Sequence, residues 1–221
     1  MTADWWTLLP VRGIANGKSR LAGVLDAPRR AALNRRLLAH TLAAIEQWRG
    51  GLARCLVISP CDETLERARA AGALALRETA GELNAATAFG VCKAVALGAR
   101  KLLIVACDLP ELNAGALAAL AALAADTGQA SLAPDRAGSG TNALAIDADA
   151  IGHFQFGADS CKRHAAMLSR NGHRIALCAR SELAFDLDTP QDYAEWSARR
   201  DANIRRRALP SGQIQIAEAG K

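Results

Sequence analysis

Residues Lys101–Pro110 read KLLIVACDLP, a short apolar run from Leu102 to Ala106 that ends abruptly at an acid, Asp108. A run of this length and apolarity fits a strand covered on both faces, as in the middle of a parallel sheet. A carboxylate at the carboxyl end of such a strand faces the crevice where open α/β sheets bind ligands. The plainer role for Asp108 is to cap the turn begun by Leu109-Pro110. Other acids and glycine-rich loops in the chain favour the first role.

Next to this strand, Leu112–Ala125 is almost all leucine and alanine and reads as a buried helix. Gln129–Ala133 and Ala143–Ile146 read as strands. The loop between them, Pro134–Asn142, carries Arg136, Ser139 and Thr141 among glycines, which makes either an anion cradle or an ordinary flexible turn. On the other side, Gly81-Glu82-Leu83-Asn84 opens a helix that runs to about Gly98. Asn84 either caps that helix or sets an amide and a helix N-terminus against a nucleotide. Cys55–Ser59 and Ala73–Leu76 read as strands, with Asp62 capping the polar helix between them. Asp26-Ala27-Pro28 starts a helix whose Leu33, Leu37, Leu38, Thr41, Leu42, Ile45 and Trp48 fall at core-packing spacing.

Towards the N-terminus, Trp6–Val11 reads as the first strand. It leads into Arg12–Leu21, a loop with two glycines, a lysine and two arginines. Glycines let backbone N–H groups approach a phosphate, and cations neutralise it. The loop is not a Walker A sequence, because Gly13 and Gly17 enclose three residues where that motif needs four. A basic surface turn is the simpler alternative.

Towards the C-terminus, Phe154–Asp159 leads into a helix through Ser169, with Ser160 as its expected cap. His164 lies one turn later and reads as structural. Arg174–Cys178 reads as a strand. In Phe185–Asp192, Asp186 and Asp188 point the same way if the segment is extended. Two such carboxylates are either solvated or paired through a divalent cation. Thr189, Pro190 and Asp192 make a good helix start. From Arg199 the chain turns basic and loses its periodicity, so a mobile or loosely docked tail is expected over residues 201–221.

Strand and helix patterns alternate without an internal repeat or linker. This favours one α/β domain over residues 1–200, with a mostly parallel sheet in a three-layer, Rossmann-like sandwich. At 221 residues one sizeable core is the default. No apolar run approaches the ~20 residues that span a bilayer. The six cysteines form no CxxC pair and the start lacks the basic region of a signal peptide, so reduced thiols and a cytoplasmic location are expected. The net charge of +5 suits either a pocket for phosphorylated small molecules or nucleic-acid binding. Only Arg205-Arg206-Arg207 clusters tightly, so nucleic acid and membrane are not expected partners. The sequence does not choose between a monomer and a homodimer.

Taken in order, Pro10-Val11 with Gly17-Lys18-Ser19-Arg20-Leu21, Leu83-Asn84-Ala85-Ala86, Asp108-Leu109-Pro110, Pro134-Asp135-Arg136, Gly140-Thr141-Asn142-Ala143-Leu144, Phe156-Gly157 with Ser160 and His164, and Asp186-Leu187-Asp188-Thr189-Pro190 resemble one family. It is the guanylyltransferases of coenzyme F420 biosynthesis, which share a fold with molybdenum-cofactor and sugar-nucleotide transferases. The resemblance spans roughly residues 7 to 196. It implies a nucleotide-diphospho-sugar transferase-like fold and GMP transfer from GTP to a three-carbon phospho-acid: 2-phospho-L-lactate, phosphoenolpyruvate or 3-phospho-D-glycerate. It further implies Mg²⁺ held by Asp108, Asp186 and Asp188, with Lys18 and Asp108 catalytic. Lys18, Arg136, Thr141, Gly157 and Ser160 would then hold the phospho-acid, and Pro10, Val11, Gly13 and Asn84 would face the nucleotide. The family usually has a second glycine before the serine where this chain has Asp159, a carboxylate that would repel an anion unless it points away. A molybdopterin or sugar-phosphate nucleotidyltransferase is the nearest rival. A basic nucleic-acid-binding module is a more distant one.

Overall fold

The computed structural model describes residues 5–15, 17–48, 51–79, 81–150 and 153–208, with the backbone alone over 203–208. The strands are β1 (Trp5–Pro10), β2 (Cys55–Ser59), β3 (Leu74–Arg77), β4 (Lys101–Val105), β5 (Gln129–Pro134), β6 (Thr141–Asp147) and β7 (Arg174–Leu177). The helices are α1 (Ala27–Glu46), α2 (Asp62–Ala70), α3 (Leu83–Ala96), α4 (Ala114–Ala122), α5 (Ser160–Arg170), α6 (Ser181–Ala184) and α7 (Pro190–Ala208).

The strands form one sheet in the order β3-β2-β1-β4-β6-β5-β7. All neighbours run parallel except β6, which is antiparallel to β4 and to β5. The short turn between β5 and β6 forces this reversal, since a parallel partner needs a crossover of a dozen or more residues.

The alternation of side chains along each strand builds two cores. Leu9, Val57, Leu103, Val105, Ala143 and Ala145 point to one face and pack with α1 and α4. Leu8, Leu56, Leu102, Ile104, Leu144 and Ile146 point to the other, against α3 and α5. The 101–105 run is apolar throughout because helices cover both faces. Helix α3 lies close enough to the sheet that a Cβ on Gly90 would come within 2.6 Å of Ile58 Cδ1. A smaller cluster of Leu21, Leu25, Leu33, Leu37 and Leu187 docks α7, through Tyr193 and Trp196, onto α1.

Several boundaries differ from the sequence expectation by a residue or two. Val11 lies past the end of β1, although its N–H still donates to Ile58 O at 2.8 Å. Asp62 is the first residue of α2, and Cys61 takes the cap position. Ser160 is likewise the first residue of α5, with Asp159 at the cap. Helix α7 continues to Ala208, so residues 201–208 are helical where a loose tail was expected. The remainder of that tail, and the side chains of Arg205-Arg206-Arg207, lie outside the described residues.

Candidate active site

Strands β2 and β4 flank β1 on opposite sides, and the chain reverses its direction of travel across the sheet there. Ligands bind at the carboxyl ends of strands at such a switch point. A cleft of about 470 Å³ opens at that place. This is within the range of small-molecule sites. Its floor is the end of β4 and its rim is the loop after β1. Because β6 is antiparallel, its first residues Thr141 and Asn142 also arrive here, and Ala106 N–H donates to Asn142 O at 2.9 Å.

The rim loop is held by its own sequence. Gly13 has φ 135, a backbone region that disfavours a side chain. Asn34 Nδ2, on α1, donates to Ile14 O at 2.7 Å. Lys18 adopts the left-handed conformation, φ 59, which is costly for a non-glycine residue and is typical of functional positions. The turn aims its side chain inward, where only 7% of it is exposed.

Lys18 Nζ donates to Asp108 Oδ2 at 2.6 Å and lies 3.7 Å from Asp188 Oδ1. Arg20 Nη1 donates to the other Asp188 oxygen at 2.7 Å. Residues 168 apart in the chain meet here because the 183–188 segment is pinned on two sides. Leu187 N–H donates to Asp108 O at 3.0 Å, and Asn142 Nδ2 donates to the carbonyls of Leu183 and Ala184 at 3.0 and 3.2 Å. Asp186 is half-buried, and its carboxyl is pushed above the usual range by that burial and then by the Asp108 charge. Burial, then the Asp108 charge, pushes the Cys107 thiol up to about 12. That thiol is not a nucleophile. Among the described residues, no three acidic, histidine or cysteine side chains are arranged as a metal site as they stand. The Lys18 ammonium lies between Asp108 and Asp188 instead.

Of the residues expected at the site, Pro10, Val11, Gly13, Lys18, Asp108, Thr141 and Asp188 line the cleft. Asp186, Asn84, Gly157, Ser160 and Arg136 do not. Asn84 neither caps its helix nor faces the cleft. Its Oδ1 accepts from Phe156 N–H at 2.7 Å, and so it fixes the ring that does line the wall. Gly157 follows that ring with φ 120, a conformation suited to glycine. Ser160 is buried behind it. Arg136 points away to α7, where it pairs with Asp192 and Glu195 and lies 4.4 Å over the Phe185 ring. The 135–140 turn is closed on itself: Asp135 accepts from Ser139 N–H at 2.9 Å, so it is not an anion cradle. Asp159 stands at φ 53, the geometry a glycine would take easily, and its exposed side chain lies outside the cleft wall. Sequence reasoning missed Arg20, Asn34 and the Asn142 tether. Arg20 and Asn142 sat inside motifs already singled out, while Asn34 carried no signal beyond a polar residue on a core helix.

A family model described as "Guanylyl transferase CofC like" matches residues 6–205. A phosphoenolpyruvate guanylyltransferase of Rubrobacter xylanophilus is 39% identical over 193 residues, covering 87% of this chain and 93% of that protein. A 3-phospho-D-glycerate guanylyltransferase of Phenylobacterium zucineum is 37% identical over 192 residues, covering 85% and 87%. Among solved structures, a Desulfovibrio desulfuricans protein provisionally assigned as a nucleotide-diphospho-sugar transferase superposes with a TM-score of 0.72 at 16% identity, covering 92% of this chain and 91% of that one. That likeness bears on the fold. The fold is that of nucleotide-diphospho-sugar transferases and cytidylyltransferases.

Proposed function

The chain belongs to the CofC-like guanylyl transferase family, and from that premise we propose that it moves GMP from GTP onto a three-carbon phospho-acid and releases diphosphate. The candidates for the acid are phosphoenolpyruvate, 3-phospho-D-glycerate and 2-phospho-L-lactate, and the step serves coenzyme F420 assembly. The observation that carries this reading is the convergence of Lys18, Asp108 and Asp188 on one cleft at the switch point of the sheet.

In this reaction a phosphate oxygen of the acid attacks the α-phosphorus of GTP. One P–O bond forms there, the bond to the β-phosphate oxygen breaks, and diphosphate leaves with the electron pair. A phosphate monoester is already largely ionised near neutral pH, so no general base is needed. The chain's task is to position the groups and neutralise them. The Pro10–Gly13 backbone faces the nucleotide. Lys18 supplies a cation to the phosphates, and Thr141 offers a hydroxyl to the phospho-acid. Asn84 acts on the nucleotide side only through Phe156, and Gly157 and Ser160 shape the acceptor loop from behind.

Asp108, Asp186 and Asp188 suit Mg²⁺, since all three offer the hard oxygen ligands it prefers. Asp186 is pushed up first by its burial and then by the Asp108 charge, and a cation beside the pair would offset the second of these. Held there, Mg²⁺ would stabilise the charge that builds on the phosphates. The protein's place is the cytoplasm, where its six unpaired thiols stay reduced. No helix among the described residues is long and apolar enough to cross a membrane.

The test is incubation of purified protein with GTP, Mg²⁺ and each acid separately, with products resolved by chromatography. A guanosine 5′-diphospho-acid and an equal amount of diphosphate should form with at least one acid, and a chelator should stop both. Diphosphate release with none of the acids would overturn the reading.

A further inference from the structure

Behind the cleft wall lies a buried histidine to which the reaction above gives no role. His164, on α5, has no exposed surface. Its Nδ1 is 3.1 Å from Thr141 Oγ1, and its Nε2 accepts the backbone N–H of Gln155 at 3.0 Å. The rings of Phe156 and Phe154 meet it edge-on, with centroids at 4.8 and 6.3 Å.

These contacts determine where the imidazole proton sits. A backbone N–H can only donate, so Nε2 must present a bare lone pair. A neutral imidazole with a bare Nε2 carries its proton on Nδ1. Burial, aided by the charge of Arg163, keeps the ring neutral, with its proton affinity lowered to about 4. The Nδ1–H therefore donates to Thr141 Oγ1. A hydroxyl that accepts on one side keeps its own proton free for a partner on the other. That other side is the cleft, which Thr141 helps to line.

We propose that His164 is a positioning residue for the acceptor site: it holds the Thr141 hydroxyl so that its proton is presented to the anionic phospho-acid. The proposal rests on the reading that Thr141 faces that acid. With the opposite tautomer, Thr141 would donate to Nδ1 and show only lone pairs to an anion. The second ring nitrogen adds to the effect. By holding Gln155 it works with Asn84, which holds Phe156, to fix the strip of chain that leads to Gly157.

Side-chain amides separate the two ring nitrogens in a test. Asparagine can replace the Nδ1 donor and glutamine the Nε2 acceptor. In His164→Gln the donor to Thr141 is lost, and KM for the phospho-acid should rise about 10- to 100-fold, the usual effect of losing a hydrogen bond to a charged group. KM for GTP should change far less than KM for the phospho-acid, since only the packing contact with Phe156 links His164 to the nucleotide side. His164→Asn should recover most of the acceptor affinity. Thr141→Val should match His164→Gln, and the double variant should be no worse than Thr141→Val alone, as expected for residues acting in series.

Equal acceptor KM values for His164→Gln and His164→Asn in an active enzyme would overturn the proposal. The nitrogen NMR shifts of His164 in the wild-type protein give a readout independent of folding defects and of activity. They should show a protonated Nδ1 and a bare Nε2, and the reverse pattern would overturn it equally. If the wild-type protein transfers GMP to no acid, the functional reading fails while the tautomer remains readable.

Discussion

Replacing Asp108 with asparagine keeps the shape of the side chain and removes its charge. Lys18 Nζ would lose its ionic partner at 2.6 Å and keep only Asp188 at 3.7 Å. The lysine side chain is nearly covered while that of Asp108 is one-third exposed. The pair is therefore partly screened, and its loss should cost about 1–2 kcal/mol of stability. For a chain of this length that lowers the melting midpoint by roughly 2–8 °C, which leaves the protein folded at assay temperature. The effect on turnover should be far larger, because Asp108 both orients Lys18 and supplies a ligand to the proposed cation. Losing one preorganised electrostatic contact of this kind costs about 10²–10³ in kcat. Circular dichroism and thermal melts would report the fold, and diphosphate release would report turnover. A variant that is folded, less stable and within threefold of wild-type kcat would contradict a catalytic role for Asp108. It would make the Lys18–Asp108 pair a structural tie.

Other substitutions separate packing from chemistry. Arg136→Ala should lower the melting midpoint by only about 2–4 °C, since its exposed ion pairs and ring contact total about 1 kcal/mol. It should leave KM for the acceptor unchanged, and a tenfold rise would restore the anion-binding role that the structure removes. Lys101→Met should destabilise by about 3–5 kcal/mol in urea titrations. It strands the buried Asp147 carboxylate, which Lys101 meets at 2.7 Å, and a change below 1 kcal/mol would contradict that. Acid should weaken the fold through His164, whose value falls from an ordinary 6.5 in the unfolded chain to about 4 in the folded one. The unfolded chain takes up the proton first, so this stability is complete above pH 6.5 and is lost as pH falls towards 4. About 2 kcal/mol should disappear between pH 7 and pH 4.5. A His164→Asn variant should lack that increment, and an identical pH slope in the variant would contradict the assignment.

The sheet was legible where both faces are covered, because burial there leaves an uninterrupted apolar run. Cys55–Ser59 and Lys101–Val105 are such runs, and the strands follow them closely. Asp108 at a strand end and Asp188 in an extended pair were legible through position, whereas Asp186 of that pair does not line the cleft. Direction was not legible. Arg136 looked like an anion ligand among glycines, but α7 brings Asp192 and Glu195 to it from 56 and 59 residues further on. Asn84 looked like a cap or a nucleotide contact, yet a loop 72 residues away claims both ends of its amide. Ser160 has the composition of a cap, and the left-handed backbone at Asp159 moves it one place into the helix. The tie between His164 and Thr141 spans two elements 23 residues apart, and no periodicity within either could reveal it.

The most direct measurement follows the label from GTP marked at the α-phosphate and, separately, at the γ-phosphate, in the presence of Mg²⁺ and an accepted phospho-acid. Label should pass into the acid adduct from the α position alone, with the γ label leaving in diphosphate. Label reaching the acid from the γ position, or reaching it from neither, would contradict guanylyl transfer as the activity of this cleft.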